Sequence, residues 1–312
     1  MKDGYNRDIT YMRLSVTDKC NYNCIYCKPN DFVSNINVLS FDDMFHICES
    51  AVKCGIKKIR LTGGEPLLRD GIVDFCKRLK SIDGLEELTL TTNGSLLSTY
   101  AVGLMKAGVS RINISLDTLK KDKFKRITGT DNFDRVIESI KFAESIGFDN
   151  IRINVVLIGG FNDDEIIDFI ELTKDNSYFI RFIELMPIGA SNKFDKSSFI
   201  SSDVVLSADE RLKKISNNGV AEVYRIDGYK GCVGLIRPMT NKFCAQCNRI
   251  RVTADGKLKT CLHSNDETDL RGLSGCNLEE SIKKAISQKP LSHNLETSCF
   301  RETSRFMNEI GG

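Results

Sequence analysis

The chain has 312 residues, 41% of them hydrophobic and 28% charged, ordinary globular proportions that exclude a disordered or fibrous protein and leave room for two domains or one large α/β domain with an extension. Lys plus Arg number 44 against 42 Asp plus Glu, a formal net charge of +2, which removes the bulk electrostatic case for a nucleic-acid or membrane-surface protein. No apolar run reaches the roughly 18 residues of a spanning helix and residues 1–10 are too polar for a secretory signal, so the expected setting is the cytoplasm, where twelve cysteines point to metal binding before disulfides.

In chain order, β-rich runs at 9–16, 57–62, 87–92, 110–116, 151–157 and 178–185 alternate with stretches of helical spacing such as 41–54, 96–107 and 133–146, each stopped by a glycine at 55, 108 or 147. Strand intervals of roughly thirty residues fit repeated βα units, hence an α/β protein with a parallel sheet or a (β/α) barrel. Polar residues, Gly and Ser interrupt the pattern between Gly189 and Ser202, dividing an expected domain of residues 1–190 from one of 191–312. Beyond it the expected order is a helix at 202–215, strands at 220–226 and 232–237, a hairpin at 249–261 turning at Asp255-Gly256, helices at 270–287 and 292–307, and a terminal Gly311-Gly312.

Parallel strands are usually apolar on both faces, and these are not. Arg13, Ser15 and Thr17 share one face of the first strand against Met12, Leu14 and Val16; Lys58, Arg60 and Thr62 do so on the second; Thr89, Thr91 and Asn93 on the third; Arg111, Asn113, Ser115 and Asp117 on the fourth; Arg152 and Asn154 on the fifth. The apolar set must meet the helices, so the polar set points into whatever the sheet curves around. Burying these cations without partners costs several kcal/mol apiece, which a large anionic ligand in the barrel mouth would offset. On the sixth run Arg181 has the opposite parity to Glu184 and Met186, so a bulge or a strand end near Ile183 is expected.

Cys20, Cys24 and Cys27 form Cys-x3-Cys-x2-Cys in the loop after the first strand. Three thiolates from one loop can hold three irons of a 4Fe-4S cluster and leave the fourth open. A zinc knuckle completed by Cys48 or Cys54 is the alternative. The spacing, with Tyr26 directly before the last cysteine, resembles the radical S-adenosylmethionine enzymes, in which the open iron chelates that cofactor. The Gly63-Gly64-Glu65-Pro66 turn also resembles that superfamily, where it meets the methionine amino group and glycines let the backbone approach closely. The resemblance further implies S-adenosylmethionine contacts from Tyr26, Gly64, Glu65, Thr91, Ser115, Arg152 and Met186, Arg152 standing where the superfamily member more often has Lys.

A second set, Cys244, Cys247 and Cys261, is spaced Cys-x2-Cys-x13-Cys, and with His263 close by the spacing alone leaves zinc and iron-sulfur equally open. The segment from Phe243 through Cys247-Asn248-Arg249-Ile250-Arg251 to Gly256 resembles the GTP 3′,8-cyclases, the molybdenum cofactor biosynthesis protein A family. So do residues 60–66, residues 181–186 and the terminal Gly311-Gly312, and the likeness spans essentially the whole chain. It implies a partial (β/α)6 TIM-type barrel closed by a C-terminal α+β region that carries a second 4Fe-4S cluster, with GTP as substrate. Arg13, Lys58, Arg60, Arg181, Arg249 and Arg251 match positions around the nucleotide, and Arg13, Arg249 and Arg251 are the implied catalytic residues. Bidentate guanidinium forks suit triphosphate oxygens. The implied reaction is cleavage of S-adenosylmethionine to a 5′-deoxyadenosyl radical, removal of the C3′ hydrogen of GTP, and closure onto C8 to give 3′,8-cyclo-7,8-dihydro-GTP. Implied partners are a flavodoxin- or ferredoxin-type reductant and a downstream cyclic pyranopterin monophosphate synthase, with no nucleic acid and no membrane. Cys48, Cys54, Cys76, Cys232, Cys276 and Cys299 lack ligand spacing and read as small buried hydrophobes.

Overall fold

A computed structural model describes residues 1–149, 151–293, 295 and 305–311. The N-terminal half alternates as expected: β1 (Tyr11–Ser15), α1 (Phe41–Lys53), β2 (Lys58–Thr62), α2 (Ile72–Lys80), β3 (Glu87–Thr92), α3 (Leu97–Lys106), β4 (Arg111–Ser115), α4 (Lys121–Thr128), α5 (Phe133–Ser145), β5 (Arg152–Leu157), α6 (Ile166–Asp175) and β6 (Phe179–Glu184). Local chemistry explains the boundaries. Ser40 caps α1 by accepting from Asp43 N at 3.0 Å, and Gly55 just beyond its end takes a φ of 101° that a side chain would resist. Met12, Leu14, Val16, Ile59, Leu61, Leu88, Leu90, Ile112, Ile114, Ile153 and Val155 are 1% exposed or less and join the helices in one apolar cluster. The opposite face of each strand lines the lumen.

The second half continues with α7 (Asp203–Ala208), β7 (Lys213–Asn218), β8 (Ala221–Arg225), β9 (Cys232–Ile236), β10 (Arg249–Val252), β11 (Lys257–Lys259), β12 (Thr268–Asp269), α8 (Gly275–Ser287) and α9 (Met307–Ile310). All strands join one sheet in the order β12-β11-β10-β1-β2-β3-β4-β5-β6-β9-β8-β7. Strands β1 to β6 are parallel neighbours; β10 pairs parallel with β1 and β9 parallel with β6. The barrel is therefore partial and its sheet unclosed, with the C-terminal region extending it at both edges.

Several expectations need correction. The helix expected over 202–215 ends at Ala208, and 213–218 instead forms a fully exposed edge strand turning at Gly219 into β8. Lys-Lys-Ile-Ser-Asn-Asn has no apolar face of either period, so pairing with β8 decides its state. The helix expected from 270 starts at Gly275 behind the turn at Gly272. The region expected as a helix at 292–307 lies mostly outside the described residues. No bulge interrupts β6, whose register with β5 runs unbroken to Glu184. The strand simply ends there, and Met186 reaches the lumen from the loop. Cys48, Cys54 and Cys76 are buried as expected, whereas Cys276 is exposed because it opens the first turn of α8, and Cys232 is half-buried against Arg225. Cys299 lies outside the described residues.

Candidate active site

One cavity occupies the C-terminal end of the parallel strands, with about 1640 Å³ of empty space including its open mouth. All six motif cysteines border it: Cys20, Cys24 and Cys27 from the loop after β1, and Cys244, Cys247 and Cys261 from the β9–β10 connection and the segment after β11. Among the described residues, no three His, Cys, Asp or Glu side chains converge on a single-ion position.

The two triplets have different electrostatic settings. Burial pushes the Cys24 thiol well up and, with Cys20 next in effect, pushes Cys27 up to about 12. Burial would also raise Cys247, yet Arg249 and then Lys289 bring it down to about 7. Lys289 further ties the second loop together by donating to the carbonyls of Arg249, at 2.9 Å, and Thr260. Arg7, from the N-terminal arm, donates to the carbonyls of Cys244 at 2.8 Å, Leu291 at 2.9 Å and Pro290 at 2.7 Å while its Nε pairs with Asp3 at 2.6 Å. Neither Arg7 nor Lys289 carries a motif, so only their long-range contacts reveal them.

Of the residues assigned to S-adenosylmethionine, Tyr26, Gly64, Thr91, Ser115 and Met186 border the cavity. Tyr26 donates to Asp117 Oδ2 at 2.8 Å, and Asp117 Oδ1 accepts from Val156 N at 2.8 Å. Burial raises Asp117 to about 6. Thr91 Oγ1 is buried with no hydrogen-bond partner among the described residues. Glu65 lies behind the wall, where it accepts from Leu67 N, Thr92 Oγ1 and Asn93 N and is raised by burial to about 7. The glycines of the turn serve packing more directly than ligand approach: a Cβ on Gly63 would meet Thr17 O, and one on Gly64 would meet Lys19 O and Asp18 O. They let the turn lie flat against the entrance to the cysteine loop, fixed by Gly64 N to Thr17 O at 2.7 Å and Glu65 N to Lys19 O at 2.8 Å.

Of the nucleotide residues, Arg13, Arg249 and Arg251 border the cavity, whereas Lys58, Arg60, Arg181 and also Arg152 do not. Lys58 and Arg152 open their strands, while Arg60 is level in register with Arg13 and Arg251 and Arg181 with Asn154, so these four form a layer behind the lining. Register aligns Arg251, Arg13, Arg60, Thr89 and Arg111 across five strands. Burial, then neighbouring guanidiniums, depress the layer: Arg60 falls to about 9, Arg152 to about 10, and Arg181 well below its usual range. Lys58 falls to about 7 through burial and Arg111. Arg181 donates to Asn113 Oδ1 at 2.7 Å; a Cβ on Gly234 of the adjoining strand would sit 2.7 Å from the Phe179 ring and 3.2 Å from Arg181 Cγ. Glu184 faces away from the lumen and ties residues 202 and 239–240 to the barrel by accepting their backbone N–H groups.

The chain terminus enters the same site. Arg251 donates to the carbonyls of Ile310, at 3.1 Å, and Gly311. Asn308 donates to Asp18 O at 3.0 Å, and Met307 N to Cys27 O at 3.2 Å. Gly311 has a φ of 68°, and a Cβ there would strike Thr62. Gly312 lies outside the described residues. His263 and His293 complete the far wall, their rings 4.4 Å apart. Burial, then His293, push His263 down to about 3.

The model of the Radical SAM superfamily matches residues 14–173, and that of Molybdenum Cofactor Synthesis C matches residues 178–295. A GTP 3′,8-cyclase of Peptoclostridium acidaminophilum is 48% identical over 319 residues, covering 99% of this chain and 98% of the relative. One from Alkaliphilus oremlandii is 43% identical over 320 residues, covering 100% of both. Among solved structures, Streptococcus suis SuiB bound to precursor peptide SuiA aligns with a TM-score of 0.63 at 15% identity, over 91% of this chain and 66% of that one. The anSMEcpe structure with bound AdoMet aligns at 0.60 and 13% identity, over 94% and 84%. Likeness at that identity speaks to the fold alone.

Proposed function

This chain belongs to the GTP 3′,8-cyclase family of the radical S-adenosylmethionine superfamily, and from that membership we infer that it converts GTP to 3′,8-cyclo-7,8-dihydro-GTP, the first step of molybdenum cofactor biosynthesis. The observation that carries the reading is the single cavity bordered by both cysteine triplets, the Gly63-Gly64 turn and Arg13, Arg249 and Arg251. The donor set fits iron-sulfur clusters. Each triplet offers three thiols and leaves one iron open, and thiols raised by burial, as Cys24 and Cys27 are, become thiolates when a metal binds them.

When bound, the first cluster and S-adenosylmethionine supply the one-electron chemistry that takes the C3′ hydrogen from GTP. The rest is placement. Tyr26, held by Asp117, with Gly64, Thr91, Ser115 and Met186, forms the S-adenosylmethionine half of the cavity, and Glu65 and Arg152 support it from the wall and floor. Cys244, Cys247 and Cys261 would hold a second 4Fe-4S cluster, placing it on the guanine side of the cavity. Arg13, Arg249 and Arg251 would hold the nucleotide between the two triplets, with Lys58, Arg60 and Arg181 taking the triphosphate beneath, so that C3′ is presented to the S-adenosylmethionine half and water is excluded. A flavodoxin- or ferredoxin-type protein supplies electrons, and cyclic pyranopterin monophosphate synthase consumes the product.

The test is anaerobic turnover of GTP with S-adenosylmethionine and a reductant. Cys24→Ala should abolish cleavage of S-adenosylmethionine, whereas Cys247→Ala should keep reductive cleavage and lose GTP conversion. Equal loss of cleavage in both variants would overturn the division of labour between the triplets.

A further inference from the structure

The layer beneath the cavity is out of charge balance. Lys58, Arg60, Arg111, Arg152 and Arg181, with Arg13 and Arg251 on the adjoining strands, share the lumen with Glu87, which pairs with Lys58 at 2.6 Å and with Arg111. The Nε atoms of Arg13, Arg111 and Arg181 are buried without a partner among the described residues. Tyr11 stands in the middle of this field. On β1 it pairs in register with Arg249 of β10 and Lys58 of β2, two residues before Arg13 and on the same face. Its ring lies 5.1 Å from Lys58 Nζ and 5.4 Å from the Arg60 guanidinium carbon, and its hydroxyl oxygen is buried beside the Arg13 side chain with no acceptor for its hydrogen among the described residues.

A buried hydroxyl whose hydrogen has no acceptor is costly, and a neutral phenol has one hydrogen to donate where, Glu87 apart, its charged neighbours are donors too. As an acceptor-only anion the same oxygen would suit them. We propose that Tyr11 is a further residue of the GTP site, a phenolate among these cations before nucleotide arrives that becomes a neutral phenol donating to a triphosphate oxygen when GTP binds. The inference rests on reading this layer as the triphosphate seat.

The groups facing Tyr11 favour this exchange. They are Arg13 on its own strand, Lys58 and Arg60 on β2, Glu87 on β3, Arg111 on β4, Arg152 on β5, Arg181 on β6, and Arg249 and Arg251 on β10. Burial alone would raise the phenol, but Arg60, Arg13 and Lys58 outweigh it and bring it down to about 7. An incoming triphosphate competes for the same cations and repels the phenolate; the proton comes from bulk solvent and ends on the tyrosine oxygen. The other displaced tyrosines all move upward, Tyr22, Tyr26, Tyr178 and Tyr224 by burial and Tyr229 by Glu171. A tyrosinate signal near neutrality therefore reports Tyr11. Spectroscopy also separates it from Lys58, which titrates in the same range.

The experiment uses anaerobic holoenzyme at pH values spanning neutrality, with tyrosinate difference spectra and calorimetry of GTP and guanosine in buffers of different ionisation enthalpy. Wild-type enzyme should show a tyrosinate band that grows through neutrality and is lost on adding GTP but not guanosine. Tyr11→Phe, with unchanged iron content, should lack the band and take up as much as about one proton fewer per GTP bound. A band that appears only in the ordinary phenol range, or that GTP leaves unchanged, would overturn the inference while the triphosphate seat stands. GTP binding no tighter than guanosine would remove the seat and the inference together.

Discussion

Arg60 is 4% exposed, donates to Thr89 Oγ1 at 3.3 Å and faces Arg13, Arg111 and Arg152 across the lumen. A guanidinium placed so among like charges is held for an anion. Arg60→Ala is expected to weaken GTP binding by about 1.5 to 3 kcal/mol, roughly 10- to 150-fold, and guanosine binding far less. Calorimetry with both ligands checks it; equal losses would mean that Arg60 shapes the barrel instead of holding phosphate. Gly311 sets the second residue-scale expectation. Its left-handed φ and its contact with Thr62 leave no room for a side chain, and Arg251 reaches its carbonyl. Removal of the last two glycines is expected to leave iron content and GTP affinity nearly intact while cyclisation collapses, because the segment beside Thr62 and Arg251 is gone. Normal product formation by the truncated enzyme would show that the tail has no part in the reaction. The tail was legible only through its resemblance, since two glycines state no partner.

At the scale of elements, the strands were the most readable feature. Alternation of polar and apolar residues on β1 to β5 named the lumen face, because a two-residue period is a local property of extended backbone. Tyr11 obeys the same parity as Arg13, so its position was legible although its chemistry was not. β7 was misread because its polar sequence has no preference that pairing with β8 could not override. The N-terminal arm carries the element-scale prediction. Arg7 holds four carbonyls, that of Cys244 in the second triplet and those of Lys289, Pro290 and Leu291, and neutralises buried Asp3. Arg7→Met combined with Asp3→Asn avoids leaving a lone buried charge, whose cost would be about 3 to 5 kcal/mol. The double variant is expected to lose iron toward the level of Cys247→Ala while keeping S-adenosylmethionine cleavage. Full iron content would show that the second loop stands without the arm.

For the whole molecule, the decisive fact is that β9 and β10 seal opposite edges of the six-stranded sheet. Strands from both sides of residue 190 therefore belong to one sheet. A fragment ending at residue 190 would expose the backbone edges of β1 and β6 together with the apolar surface that α8 covers. It is expected to associate and to lack a cooperative unfolding transition, as read by size-exclusion chromatography and circular dichroism. A monomeric fragment with a sharp transition would make the first half self-sufficient.

What the sequence determined by itself was whatever lies close along the chain: thiol spacing within each triplet, the glycine stops of helices, and the face on which each strand carries its cations. These depend on backbone periodicity and on loops of a few residues, where sequence distance and spatial distance agree. Tertiary structure decided the rest. That the two triplets share one cavity, that Lys58, Arg60, Arg152 and Arg181 lie a layer below it, that Arg7 and Lys289 brace the second loop, and that Gly311 meets Thr62 all follow from strand register and chain crossings between residues far apart in sequence. Register brings Arg13, Arg60 and Arg251 into one row, and the packing around each side chain decides which of them borders the cavity.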